Sequence, residues 1–160
     1  MAEKKKNSLI SFGNVAKNRK ATFNYSIVDK VEAGLMLKGP EVKSLRLGRA
    51  TINEAHAGER EGEIWLFNSY IPEYQGGFFS KFDPRAPRKL LLNKKQIFKL
   101  LGAISRNGMT LVPLDIFFNS RGIAKVTLGL GQGKKKADKR QAIADRDWKR
   151  DQARLLRNKF

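Results

Sequence analysis

The sequence predicts a mainly β protein, a small closed barrel with two or three inserted helices and a tail that is disordered alone or helical on a partner. Three observations carry that prediction. Five or six short runs alternate apolar and polar residues with the period of two of half-buried strands. Two segments between them switch to helical periodicity. Residues 132–160 then lose apolar density and gain charge.

Residues 1–17 are polar and basic and read as a loose arm. Phe23, Tyr25 and Ile27 form the inward set of a first strand, and Leu35 and Leu37 flank Met36 in a second, after Gly34. A short helix is predicted from Pro40 to Leu47, with Pro at its first position, Glu41 at the N-terminal dipole and Val42 and Leu45 inward. Gly48 stops it. Glu63–Asn68 is a strand opened by a turn at Gly62. Ile97, Leu100, Leu101 and Ile104 share one face of a longer helix. Asn93 caps that helix, Gln96 completes the capping box, and Asn107-Gly108 ends it.

Leu114, Ile116 and Phe118 give the next strand, which must be an edge or bulged at Pro113, because proline has no N–H for the ladder. Asn119 to Gly122 read as a hairpin loop. Ala124, Val126, Leu128 and Leu130 then alternate with Lys125, Thr127, Gly129 and Gly131. The glycines at 129, 131 and 133 read as a flexible exit, since they lack the Lys-Ser/Thr ending of a phosphate loop. An up-and-down barrel needs no helices between strands, so the barrel is of the oligonucleotide-binding type. The chain divides into a basic arm (1–17), a barrel core (18–131) and a basic tail (132–160).

Charge speaks to partners. Lys and Arg number 33 against 15 Asp and Glu, a formal charge of +18. A field of that sign attracts polyanions, nucleic acid first. No apolar window of about 18 residues exists to span a membrane, and Leu9, Ile10 and Phe12 are too few for a signal-peptide core. Without Cys there is no disulfide or thiolate metal site, and the expectation is a cytoplasmic protein with no metal or cofactor, a monomer when free.

No catalytic set is legible. The single histidine, His56, lies in the polar stretch Glu54–Glu63 near a turn and reads as an exposed loop or strand residue. The expectation is therefore a binding protein and not an enzyme; an RNA hydrolase is disfavoured by the lack of acid–base groups. In the tail, residues 133–160 hold eleven Lys or Arg and four Asp or Glu. Asp138 is placed as an N-cap, and Ala144, Trp148 and Leu155 fall near one line, with Ile143 and Leu156 beside it. That stripe is too thin to hold a helix alone, so the tail should fold on a charged partner. A tryptophan in so polar a segment implies a surface to meet.

Several runs together carry a resemblance. Asn18-Arg19-Lys20-Ala21, Glu32-Ala33-Gly34, Glu41-Val42-Lys43-Ser44-Leu45-Arg46, Arg88-Lys89-Leu90-Leu91-Leu92, Thr110-Leu111-Val112-Pro113-Leu114, Gly133-Lys134-Lys135 and Asp138-Lys139-Arg140 resemble, in order, the SsrA-binding protein (small protein B) family. The resemblance runs from about residue 18 to 157, nearly the whole chain.

The resemblance implies binding to the transfer-like domain of transfer-messenger RNA and its delivery to stalled ribosomes for trans-translation. The same-barrel alternative is a ribosomal or translation-factor RNA-binding protein, which would need no conditionally helical tail. The family reading puts Asn18, Arg19, Lys20 and Phe23 on the RNA face, where the bland one makes them the entry to a strand. Glu32 contacts RNA by resemblance and is a turn residue by pattern; Leu91 and Asn93 lie against the RNA, with Arg88, Lys89 and Lys125 supplying charge. The tail residues Gly133, Lys134, Lys135, Asp138, Lys139, Arg140, Trp148, Leu155 and Leu156 are implied to engage the small-subunit decoding centre and messenger channel. Two departures stand out. Phe23-Asn24-Tyr25 replaces the common His-Asp/Glu-Tyr, which leaves stacking possible at Phe23 but not a ring-nitrogen hydrogen bond. Ala137 stands where many members carry His or Tyr.

Overall fold

The computed structural model describes residues 9–74 and 82–157. Its longest hairpin joins β6 (Thr110–Phe118) to β7 (Ala124–Gly133), and the turn follows from its residues. The Asn119 side-chain oxygen accepts from the backbone N–H groups of Arg121 and Ile123, at 3.0 and 2.9 Å, and Gly122 takes the left-handed φ of 73°. Alternation then buries Ala124, Val126, Leu128 and Leu130 on the inner face of β7.

The remaining elements are β1 (Gly13–Lys17), α1 (Ala21–Asn24), β2 (Tyr25–Leu35), α2 (Gly39–Arg46), β3 (His56–Arg60), β4 (Glu63–Phe67), β5 (Arg88–Leu91), α3 (Lys94–Asn107) and α4 (Lys136–Arg157). The strands pair antiparallel in the order β1-β6-β3-β4-β5-β2-β7, and β7 pairs again with β6. That second pairing closes a ring, the expected barrel. β6 is shared along one edge, where Leu111 meets Ala57 of β3 while residues 115–118 meet β1. Pro113 sits inside this strand beside a register shift, so it is bulged and not at an edge.

Inside the ring, Ile64, Leu66, Leu90, Leu111, Ile116, Val126 and Leu128 are fully buried. α3 adds Ile97 and Leu100 to this core, and α2 adds Leu45. The α3 cap is as predicted: Asn93 Oδ1 accepts from the Gln96 N–H at 2.9 Å, Gln96 Oε1 accepts from the Asn93 N–H at 3.2 Å, and Gly108 ends the helix at φ 61°.

Four expectations are corrected, and one open reading is decided. The arm is not loose to residue 17, since β1 pairs with β6 and the Ile10 N–H donates to the Arg46 carbonyl at 2.7 Å. Phe23 belongs to a one-turn helix, and the first strand starts at Tyr25 and runs unbroken to Leu35, leaving Met36 and Leu37 outside it. A bulge between Ile27 and Asp29 breaks its alternation, which is why the sequence pattern split in two. The polar stretch around His56 holds strand β3, so of the two readings of that residue, loop or strand, the exposed strand one stands.

The glycine run at 129, 131 and 133 is part of β7 and not a flexible exit. A Cβ at Gly131 would lie 2.8 Å from the Ser26 carbonyl oxygen, so glycine there permits a close strand approach. Finally, the tail is the helix Lys136–Arg157, and Asp138 lies in its first turn and not at its cap. Its Ala, Gln, Arg and Leu content and the Arg154 and Arg157 charges in its last turn favour helix. Phe160 and the basic segment Met1–Asn7 lie outside the described residues.

Candidate nucleic-acid interface

Gly34 organises the outer face of the barrel. It pairs with Leu91 of β5 on one side and with Lys125 of β7 on the other. Ala33 and Leu90 point inward and are buried, as are Ala124 and Val126, so Leu91 and Lys125 project outward with Gly34 between them. Three strands at the usual spacing put the Leu91 and Lys125 backbones about 10 Å apart. Leu91 is 49% exposed, large for an apolar side chain. Glu32 lies two residues before Gly34 on the same outward face, opposite Thr127, and is exposed. Beyond Leu91, Asn93 begins α3. Its side-chain oxygen is spent on the cap, while its amide N–H2 has no partner among the described residues. The structure thus brings Glu32, Leu91, Asn93 and Lys125 to one side of the barrel, with an α3 N-terminus that suits an anion.

One exposed ion pair borders this face. Lys99 of α3 donates to Asp29 of β2 at 3.1 Å. That side-chain bond, with the Lys30 backbone N–H and the ammonium charge behind it, holds the Asp29 carboxyl below the usual carboxylate range.

Other expected contacts go elsewhere. Arg88 is 3% exposed and cannot reach a phosphate. Its Nε pairs with the buried Glu41 of α2, and its Nη1 donates to the Ser69 carbonyl at 2.9 Å and the Ser69 hydroxyl at 2.8 Å. Nη2 reaches the Pro84 carbonyl at 3.2 Å. The signal was present in the sequence: Leu90 points inward, so Arg88, two residues earlier, must too. Lys89 faces outward, half-buried, with its Nζ 3.8 Å from Glu63.

Asn18 is also buried, at 6% exposure. Its side chain donates to the Pro113 carbonyl at 3.0 Å, and its backbone N–H donates to the Leu114 carbonyl at 2.8 Å, clamping the end of β1 onto the β6 bulge. That bond ties its amide to the barrel, where Asn18 lines a cavity together with Lys20 and Ala21. Arg19 and Lys20 follow it in an exposed turn. Phe23 is half-buried, with the Arg146 guanidinium of α4 5.6 Å from its ring centre.

The tail leaves the barrel without a loose joint. Gly133 still pairs with Tyr25, the Lys134 N–H donates to the Asn24 carbonyl at 2.9 Å, and the helix begins two residues later. Lys135, Asp138 and Arg140 are exposed, Lys139 is half-buried, and Trp148, Leu155 and Leu156 are more than half exposed. Among the described residues no three His, Cys, Asp or Glu side chains gather as a metal site, and His56 stacks on Phe67 with centroids 5.4 Å apart. No described helix is long and apolar enough to cross a membrane.

Fold and site together define an oligonucleotide-binding-type barrel that carries a basic helical tail. The chain belongs to the SmpB protein family, whose model matches residues 15–158. It is 75% identical over 151 residues to the SsrA-binding protein of Gluconacetobacter diazotrophicus, covering 94% of this chain and 98% of that one. The SsrA-binding protein of Gluconobacter oxydans is 70% identical over 159 residues, with 99% and 97% covered. Among solved structures, a chain from "tmRNA-SmpB: a journey to the center of the bacterial ribosome" superposes with a TM-score of 0.64 at 44% identity, covering 83% of this chain and 94% of that one.

Proposed function

We infer that this protein binds transfer-messenger RNA and acts with it at the bacterial ribosome in trans-translation. Membership of the family along nearly the whole chain carries the reading. It works by binding and not by catalysis, and where the ribosome works, in the cytoplasm. The RNA is held on the face built around Gly34. Lys125, with Arg19, Lys20 and Lys89 around the barrel, supplies phosphate attraction that any RNA would feel. Glu32 supplies discrimination: a carboxylate facing a polyanion is costly unless it accepts from a base amino group. Leu91 gives a base or ribose an apolar surface, and the free amide of Asn93 donates beside the α3 N-terminus.

The tail, from Gly133, Lys134 and Lys135 through Asp138, Lys139 and Arg140 to Trp148, Leu155 and Leu156, is the ribosome-facing part. It enters the messenger channel, with Asp138, Lys139 and Arg140 toward the decoding centre. Its charge follows the ribosomal RNA phosphates, and Trp148 with Leu155 is the stripe that a surface must cover. Sequencing the RNA that co-purifies with the full-length chain tests this. Enrichment of transfer-messenger RNA over transfer RNA and ribosomal fragments is expected; recovery in proportion to cellular abundance would overturn it.

A further inference from the structure

Two cavities lie where α1 meets the barrel, one of about 450 Å³ reaching His56 and one of about 250 Å³ reaching Tyr70 and Arg85. They share Lys20, Asn53 and Glu54 as a common wall, so they form one cleft. This cleft is separate from the Gly34 face, because Arg85 leads into the start of β5 while Leu91 closes its other end.

Arg85 is held in place there without an anion. Its Nη1 donates to Asn68 Oδ1 at 2.9 Å and its guanidinium lies 5.3 Å from the Tyr70 ring centre. Both supports are themselves fixed. Asn68 adopts the left-handed φ of 59° and donates to the Glu54 carbonyl at 3.2 Å, and Tyr70 exchanges two 2.9 Å backbone bonds with Thr51. Among the described residues neither Arg85 nor Lys20 has a carboxylate within ion-pair distance. A pre-set guanidinium, an ammonium across the cleft and two exposed aromatic groups, Tyr70 and His56 on Phe67, are more than folding requires.

We propose that this cleft is a second RNA groove that takes a short run of unpaired nucleotides, with phosphate between Lys20 and Arg85 and bases against Tyr70 and His56. Ring faces are reachable only by bases outside a helix, and a basic groove punctuated by aromatics is the usual means of gripping single strands. Glu54 argues against an acidic peptide, whose carboxylates it repels, whereas it can accept from a base amino group. The proposal rests on the reading that the protein binds RNA.

The test uses the full-length chain, a short labelled oligoadenylate, and transfer-messenger RNA. Arg85→Gln removes the charge and keeps a polar amide; it should weaken oligoadenylate about tenfold and lower the salt slope by about one. Tyr70→Leu should cost about tenfold with the slope unchanged. Leu91→Ala should spare the oligoadenylate and weaken transfer-messenger RNA. Ultraviolet cross-linking of the wild type should place the oligonucleotide on peptides holding Tyr70 or His56, which keeps the question open to test even if Tyr70→Leu unfolds. The groove is overturned if Arg85→Gln leaves affinity and slope unchanged, if cross-links fall only elsewhere, or if polyglutamate of equal charge competes as well as oligoadenylate. Should oligoadenylate depend on Arg85 while transfer-messenger RNA is not preferred, the functional reading falls and the groove stands. Preference for that RNA with no oligoadenylate effect means the reverse.

Discussion

A Cβ placed on Gly34 would lie 3.1 Å from the Cβ of Leu91. The two residues are paired across β2 and β5, so Leu91 rests on the backbone that glycine leaves bare. Gly34→Ala should therefore displace Leu91 outward at a stability cost of about 1–3 kcal/mol. Binding to transfer-messenger RNA should fall while bulk RNA binding stays, and filter binding with both RNAs at fixed salt reads the difference.

Glu32 and Lys125 should separate by the kind of loss they cause. Glu32→Ala should weaken the specific RNA by about 1–3 kcal/mol and leave bulk RNA unchanged. Lys125→Ala should weaken both alike and lower the salt slope by about one. Equal losses for both RNAs on Glu32→Ala would remove its base-reading role.

Arg88 should matter for stability alone. Arg88→Met strands the Glu41 carboxylate in the core and should cost about 3–5 kcal/mol, seen as a lower denaturation midpoint at unchanged m-value. Adding Glu41→Leu should recover much of that loss. Either protein, below its unfolding temperature, should bind transfer-messenger RNA normally; a weakened affinity in the folded variant would return Arg88 to the interface.

Asp29 gives a pH signature. Its folded carboxyl is held below its unfolded value, so the Lys99 bond contributes above the unfolded pKa and is lost as pH falls through the folded one. A carboxyl-detected NMR titration should place its midpoint below that of the Lys99→Met variant, which should move up toward the ordinary range.

The tail divides into charge and shape. Changing Asp138, Lys139 and Arg140 together to Ala removes two positive charges and one negative, so affinity for isolated RNA should barely move while tagging of stalled chains stops. Normal tagging would reduce the tail to an electrostatic anchor. Trp148→Ala should cost about 3–5 kcal/mol of ribosome docking if the ring is fully buried on binding, and less if it stays wet.

Much of the barrel was legible because its hairpins announce themselves: Asn119 to Gly122, Gly62 and the Asn93–Gln96 box each carry local chemistry that names the turn or cap. What escaped depended on partners distant in sequence. The β2 strand was split by a bulge that only its register with β7 reveals. β3 hid behind an outward face as polar as a loop. Arg88 and Glu41 are forty-seven positions apart, and a charge pattern cannot tell a buried pair from two solvated ions. The Gly34 face was read residue by residue from resemblance, yet Gly34 itself, an isolated glycine inside a strand, was a physical clue to close approach in its own right.

If the tail enters the messenger channel as proposed, the joint between Gly133 and Lys136 would make the molecule a gauge. Because Gly133 remains in register with Tyr25 and Lys134 is tied to Asn24, only a residue or two are left to swivel between barrel and helix. The 22 residues beyond rise about 33 Å as one helix. A floppy tether would search a volume and report only that some partner lies nearby. A rod on a short pivot would report a length and a direction: with the barrel seated on its RNA, the far end of α4 would fill a channel only if that channel were open, empty and correctly spaced from the seat. Lengthening the joint with glycines would keep every contact residue and erase the measurement.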